Sequence, residues 1–200
     1  MKIAGIVLAG GQSSRYGKPK MFEKLDSQFL YQYSLQAFKK NALKPLIIST
    51  NASLSPQFIE KDVRIFIEEL PHQGPLFAIH HVLSKTTDAD WFFVLASDMP
   101  YITESFVKMM LSFVDDTYDA IVPKQSDKIQ PLAALYHRSI LHKTEKLLQQ
   151  HKRSMKSLLD QLSVYYVPVS DDEQAFININ TLSDWPQSTN TLENKGDYHD

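Results

Sequence analysis

The sequence predicts an α/β fold: a single doubly wound, mostly parallel sheet with helices on both faces. Three observations carry the prediction. Short apolar runs alternate along the chain with longer amphipathic stretches. The runs are continuously apolar, as strands covered on both faces are. The first of them stops at glycines that lead into clustered cations, the order that phosphate-binding α/β sites use.

Residues 3–8 (IAGIVL) give the first strand, an apolar run that ends at Ala9-Gly10-Gly11. The amphipathic stretch 28–40 gives a first helix, and 45–50 and 63–68 give the second and third strands. Gly74-Pro75 opens a helix over 75–84, because a first turn tolerates the missing N–H of proline. Residues 91–96 (WFFVLA) read as a buried strand, followed by a helix over 104–114 and strands over 119–123 and 132–136. The helical region 140–162 breaks near 151–154, where four polar residues interrupt the apolar period, and a last strand covers 164–167. No repeat and no Gly- or Pro-rich linker divides the chain, so 1–187 is expected to be one domain. Residues 188–200 lose apolar periodicity and read as a disordered tail.

Composition narrows the function. Two hundred residues suit one domain with one sizeable core, and 43% apolar with 22% charged residues argues against wholesale disorder. A formal net charge of −2 gives no general attraction for nucleic acid. An anionic substrate must therefore be met by local cations. The absence of cysteine excludes disulfides, a thiolate nucleophile and cysteine-bound zinc or iron–sulfur sites. No stretch reaches the ~18 consecutive apolar residues that cross a bilayer, and the chain opens on a strand without a signal-peptide pattern. The expectation is a cytoplasmic protein with neither membrane nor nucleic acid as partner.

The chemistry concentrates after the first strand. Gly10 and Gly11 allow close approach of a ligand to the backbone, and consecutive N–H groups can form an anion-binding nest. Arg15 and Lys20 follow, a planar fork and a mobile point charge suited to phosphate oxygens. The spacing is neither G-x-x-x-x-G-K-[ST] nor G-x-G-x-x-G, which counts against a P-loop GTPase. Asp98 ends strand 91–96, at the edge where open α/β sheets bind ligands. Mg²⁺ takes one or two carboxylates plus substrate phosphates, which makes Asp98 a candidate ligand. Its alternative role is a cap for the helix near Thr103 or an Asx turn before Pro100. Asn178 and Asn180 alternate with apolar residues, so an extended segment would turn both amides to one side. They suit hydrogen bonding to a heteroaromatic ring such as a pterin, or equally a turn and cap at Asn180-Thr181. His72, His80 and His81 lack zinc-ligand spacing and read as surface or helix-packing residues.

Leu8-Ala9-Gly10-Gly11-Gln12-Ser13-Ser14-Arg15-Tyr16-Gly17-Lys18-Pro19-Lys20 resembles the nucleotidyltransferase signature L-A-[GA]-G-x-S-x-R-M-G-x-x-K, with Tyr16 at the usual Met. Four more motifs are similar, in order, to those of molybdenum cofactor guanylyltransferases. Gly74-Pro75-Leu76-Phe77-Ala78-Ile79 resembles G-P-L-x-G-[IM], and Ser97-Asp98-Met99-Pro100 resembles C-D-x-P. Gln130-Pro131-Leu132 opens the third, and Phe176-Ile177-Asn178-Ile179-Asn180-Thr181 resembles F-x-N-[IV]-N-T. The resemblance covers about 1–187 and implies a Rossmann-like nucleotidyltransferase that moves GMP from GTP to molybdenum–molybdopterin and releases pyrophosphate. It implies Mg²⁺ as cofactor and other molybdenum-cofactor biosynthesis proteins as partners. Leu8, Ala9, Gly10, Gly11, Lys20, Asn51 and Asp98 would contact nucleotide, Arg15 and Lys20 its phosphates, and Asp98 the metal. The family's acid after the third strand falls on Glu68 or Glu69, with strand alignment favouring Glu69; Asn178 and Asn180 would bind molybdopterin. A phosphate nucleophile is already anionic at neutral pH, so no protein nucleophile or strong base is required. Three rivals remain: a cytidylyltransferase for molybdopterin, a nucleotidyltransferase for a sugar or alcohol phosphate, and a non-catalytic nucleotide-binding regulatory module. The presence of Arg15, Lys20 and Asp98 counts against the last.

Overall fold

The computed structural model describes residues 1–11, 13 and 16–185; the expectations for Arg15 and for 188–200 fall outside the described residues. In chain order the elements are β1 (Ile3–Leu8), β2 (Lys24–Leu25), β3 (Gln28–Phe29), α1 (Leu30–Lys40), β4 (Leu46–Thr50), β5 (Arg64–Ile67), α2 (Pro75–Lys85) and β6 (Trp91–Ala96). They continue with α3 (Glu104–Leu111), β7 (Ala120–Gln125), β8 (Lys128–Ile129), β9 (Ala133–His137), α4 (Leu141–Gln149), α5 (Met155–Leu159) and β10 (Val164–Val169).

The main sheet runs β10-β7-β9-β6-β1-β4-β5, with β8 paired to β7. The β1/β4, β1/β6, β4/β5 and β7/β10 pairs are parallel, and β9 is antiparallel to both neighbours. The central strands β1 and β6 are apolar on both faces because helices cover both. In β6, Trp91, Phe93 and Leu95 pack with Leu35 and Phe38 of α1 and Phe106 and Met110 of α3. Phe92 and Val94 turn the other way, onto Leu76, Ile79 and Val82 of α2 and Leu147 and Leu158 of the last two helices. Each such side chain contributes roughly 1.5–3 kcal/mol by leaving water.

Helix boundaries follow local chemistry. Helix α1 starts at Leu30 rather than 28, because Gln28–Phe29 pairs back onto Lys24–Leu25. The reversal uses Asp26 and Ser27 at φ 47° and 71°. Helix α3 is capped by Thr103 Oγ1, which accepts from Phe106 N at 3.1 Å, and it stops at Leu111. Beyond it the chain tightens into i→i−3 bonds, Phe113 N to Met110 O and Val114 N to Leu111 O. The break near 151–154 is present: α4 ends at Gln149, and Ser154 Oγ accepts from Ser157 N at 3.0 Å to start α5.

The chain leaves β1 for β4 and β5 on one side, then returns to β6 on the other. Such a reversal opens a crevice at the carboxyl ends of the two strands. Leu8 stands opposite Ala96 in register, so the segments that follow each strand face one another there. No helix among the described residues is long and apolar enough to cross a membrane.

Candidate active site

The end of β1 is stitched to both neighbours before the glycines begin. Ala9 N donates to Ser49 O (2.8 Å), Ala9 O accepts from Thr50 Oγ1 (2.9 Å), and Leu8 O accepts from Ser97 N (3.1 Å). At Gly10 a Cβ would lie 2.9 Å from Glu68 Oε1, so any side chain there would displace the Glu68 carboxyl. Farther along, Ser13 O accepts from Tyr16 N and Gly17 N, and Ser13 Oγ accepts from Lys20 N at 3.2 Å. The loop is thereby folded back, and Lys20 arrives over the strand ends.

Lys20 Nζ meets Asp98 Oδ2 at 2.5 Å and donates to Asn180 Oδ1 at 2.9 Å. The Lys20 and Asp98 side chains are only 14% and 15% exposed, so the pair is shielded from bulk solvent and salt. Asp98 is free for this contact because Thr103 caps α3 by itself. Asn180 comes from the far end of the chain, held by an Ile179 N to Asp98 O bond of 3.0 Å. The turn at Asn180-Thr181 is capped by Asp184 Oδ2, which accepts from both backbone N–H groups at 2.8 Å. The Asn180 side chain is therefore spared for Lys20.

These groups line a cavity of about 430 Å³ together with Glu68, His72, Ser97 and the start of α2, within the size range of small-molecule sites. Gly74 holds φ 91° and ψ 171°, a backbone conformation essentially confined to glycine. It brings Pro75 and Ala78 to the cavity wall, beside the positive end of the helix dipole. Burial raises the Glu68 carboxyl above its usual range, opposed by the Ser49 hydrogen bond and by the charge of His72. Ser49 Oγ donates to Glu68 Oε1 at 3.1 Å.

Leu8, Gly10, Gly11, Lys20, Asp98 and Asn180 thus share one cavity. Four other residues expected here do not line it. Ala9 is fully buried with its backbone groups engaged. Asn51 sits one step back: its Oδ1 accepts from Ser53 N, Ser53 Oγ and Leu54 N, and its Nδ2 donates to Gly10 O at 3.4 Å. It shapes the glycine turn. Glu69 is a correction to the register: its side chain is 78% exposed and reaches Lys85 at 3.4 Å. Glu68 N donates to Thr50 O (2.8 Å), which carries the β5 pairing one residue beyond Ile67 and turns Glu68, not Glu69, inward. Asn178 is exposed, since 177–180 forms no strand and period-two alternation does not apply. His80 and His81 pack from α2, with His80 Nδ1 3.0 Å from Thr144 Oγ1 of α4, and His72 is exposed at the rim of the cavity. Ser13 and Leu132 also line the cavity, and their places in the signature and in the Gln130-Pro131-Leu132 motif were their only signals.

No cluster of three or more His, Cys, Asp or Glu side chains suited to a metal occurs among the described residues. A protein-only cage is absent there, but a Mg²⁺ shared with phosphate needs only one or two carboxylates. Asp98 fits that requirement, because its carboxylate already binds a cation, the Lys20 ammonium.

A doubly wound sheet with a glycine turn and a lysine–aspartate pair at its switch point defines a nucleotide-binding α/β protein of the nucleotidyltransferase class. The model of the MobA-like NTP transferase domain matches residues 5–165, and the chain belongs to that family. Among curated relatives it is 36% identical over 190 residues to a probable molybdenum cofactor guanylyltransferase of Geobacillus, covering 92% of this chain and 96% of that one. It is 35% identical over 202 residues to a protein of the same name from Bacillus cereus, covering 97% and 99%. Among solved structures it resembles molybdopterin-guanine dinucleotide biosynthesis protein A from Archaeoglobus fulgidus, with a TM-score of 0.73, 26% identity, and 92% and 94% coverage.

Proposed function

We propose that this nucleotidyltransferase moves GMP from GTP to molybdenum–molybdopterin in the cytoplasm. The observation that carries the reading is the convergence of the Gly10-Gly11 turn, the Lys20–Asp98 pair and Asn180 on one cavity. The relatives' names supply the substrates, and the geometry supplies the chemistry. A terminal phosphate oxygen of molybdopterin bonds to the α-phosphorus of GTP, the α-phosphorus–oxygen bond to the β-phosphate breaks, and pyrophosphate departs. The nucleophile is already an anion, so the chain's task is positioning and charge neutralisation.

Each residue then has a role. The Gly10-Gly11 backbone lies along the nucleotide, where side chains would intrude. Lys20 exchanges its Asp98 contact for phosphate oxygens, a charge-assisted bond worth about 1.5–3 kcal/mol, and Arg15 joins it on the phosphates. Asp98, with substrate phosphates, would hold Mg²⁺, which supplies additional charge neutralisation. The Glu68 carboxylate, an acceptor beside Gly10, suits the N–H donors of guanine. Asn180 serves the pterin side. Thermal shifts with Mg²⁺ and GTP, CTP, UTP or ATP test the base choice. GTP should stabilise most, by about 2.7 kcal/mol at a hundred times its Kd. An equal or larger shift with CTP or UTP would reject the guanylyl reading.

A further inference from the structure

Residues 177–185 cross the candidate site with no strand or α-helix of their own; a three-residue 3₁₀ turn, Leu182–Asp184, is their only regular element. A segment with so few backbone bonds opens easily unless side chains hold it. Three attachments do so. Ile179 bonds the Asp98 carbonyl, and its side chain is fully buried with Tyr16 and Leu30. Asn180 accepts from Lys20. Trp185 Nε1 donates to the Tyr16 hydroxyl at 2.9 Å, and that hydroxyl donates to Glu23 Oε2 at 3.3 Å. Glu23 Oε1 in turn pairs with Lys18 at 2.8 Å. Tyr16, Lys18, Lys20 and Glu23 all belong to the loop after β1, so this network ties the loop to a segment some 160 residues away.

We propose that Tyr16 and Trp185 are positioning residues for the transfer reaction. Their hydrogen bond latches 177–185 onto the loop that carries Lys20 and keeps the Asn180 amide on its ammonium. An ammonium has three donors; Asp98 and Asn180 take two in the free protein, and Asn180 keeps its hold on the ammonium when the Asp98 contact gives way to phosphate. Without Asn180 the flexible lysine stem is held from one side only. The latch depends on Tyr16, the residue at which this chain departs from the signature. The signature's usual Met has no hydroxyl, and its thioether is too weak an acceptor to join Trp185 to Glu23. The catalytic consequence rests on the GMP-transfer reading, whereas the latch itself does not.

Tyr16→Phe, Trp185→Phe and the double variant separate the two. Amide hydrogen exchange at Ile179 and Asn180 should quicken about three- to tenfold in each single variant, the scale of one neutral hydrogen bond. The double variant should exchange clearly less fast than the product of the two single effects, because all three variants lack the same bond. At a temperature well below unfolding, kcat should fall by a similar factor while the KM for GTP stays within about twofold. Unchanged exchange, or effects that multiply in the double variant, would overturn the latch. Faster exchange with unchanged kcat would leave the contact merely structural and overturn the positioning role. Failure of the unaltered enzyme to transfer GMP would refute the functional reading and the catalytic role, and the exchange measurement would still decide the latch.

Discussion

Replacing Lys20 by Met keeps most of the apolar stem and removes the ammonium that joins Asp98 to Asn180. The two charged side chains are 2.5 Å apart and 14% and 15% exposed, so solvent repairs the loss only in part. Hydrogen bonds to charged groups contribute about 1.5–3 kcal/mol, below the 3–5 kcal/mol of a fully buried pair broken on one side. A domain of this size shifts by about 2–4 °C per kcal/mol, which gives a fall in Tm of about 3–12 °C. The cost comes from the carboxylate left behind. Adding Asp98→Asn should therefore restore stability, and the double variant should melt above Lys20→Met alone. Mg²⁺ without nucleotide should recover part of the loss in Lys20→Met and none in the double variant. Calorimetric melts in metal-free buffer and with Mg²⁺ measure each of these. Additive destabilisation, with Mg²⁺ acting alike on both variants, would show that Lys20 and Asp98 are independent and that Asp98 holds no dication.

Two further variants test the acid beside Gly10. Glu68 has a raised pKa in the fold, so its stabilising share is full below the unfolded carboxylate value of about 4.3 and is lost as pH rises through the folded value. Glu68→Gln cannot ionise and still accepts from Ser49. Its melting advantage over the unaltered protein should grow from pH 4 to pH 8, and a constant difference would contradict the assigned burial. The same variant should lose at least about tenfold in GTP affinity, since it gives up a charged acceptor; unchanged affinity by calorimetry would remove Glu68 from the base site. Glu69→Ala should leave stability within about 0.5 kcal/mol and nucleotide affinity unchanged. A large loss of GTP binding would return the acidic contact to Glu69.

Strands were legible where both faces are buried. Residues 3–8 and 91–96 carry no polar side chain that could face water, and both match β1 and β6 end to end. The hairpin of β2 and β3 was not legible, because two-residue strands hold no period and their turn uses Asp26 and Ser27 instead of glycine. The reversed direction of β9 had an unread signal. Only seven residues separate Gln125 from Ala133, too few for the dozen or more that a parallel crossover needs. Within the site, Gly10, Lys20 and Asp98 stood out because strand ends, glycines and charges are local patterns. The choice between Glu68 and Glu69 depends on a single bond to Thr50 that no local pattern records. Asn51 allowed two readings because an Asx turn and a ligand contact use the same residue type. Tyr16 and Trp185 lie 169 positions apart, and only the fold brings them together.

Product formation tests the central claim most directly. The purified chain is incubated with molybdenum–molybdopterin, Mg²⁺ and GTP or CTP, and the pterin products are resolved by mass spectrometry alongside released pyrophosphate. The account requires the guanine dinucleotide and pyrophosphate in equal amounts from GTP, little product from CTP, and loss of both products in Asp98→Asn. Nucleotide hydrolysis without a dinucleotide, or a cytosine dinucleotide as the main product, would contradict it.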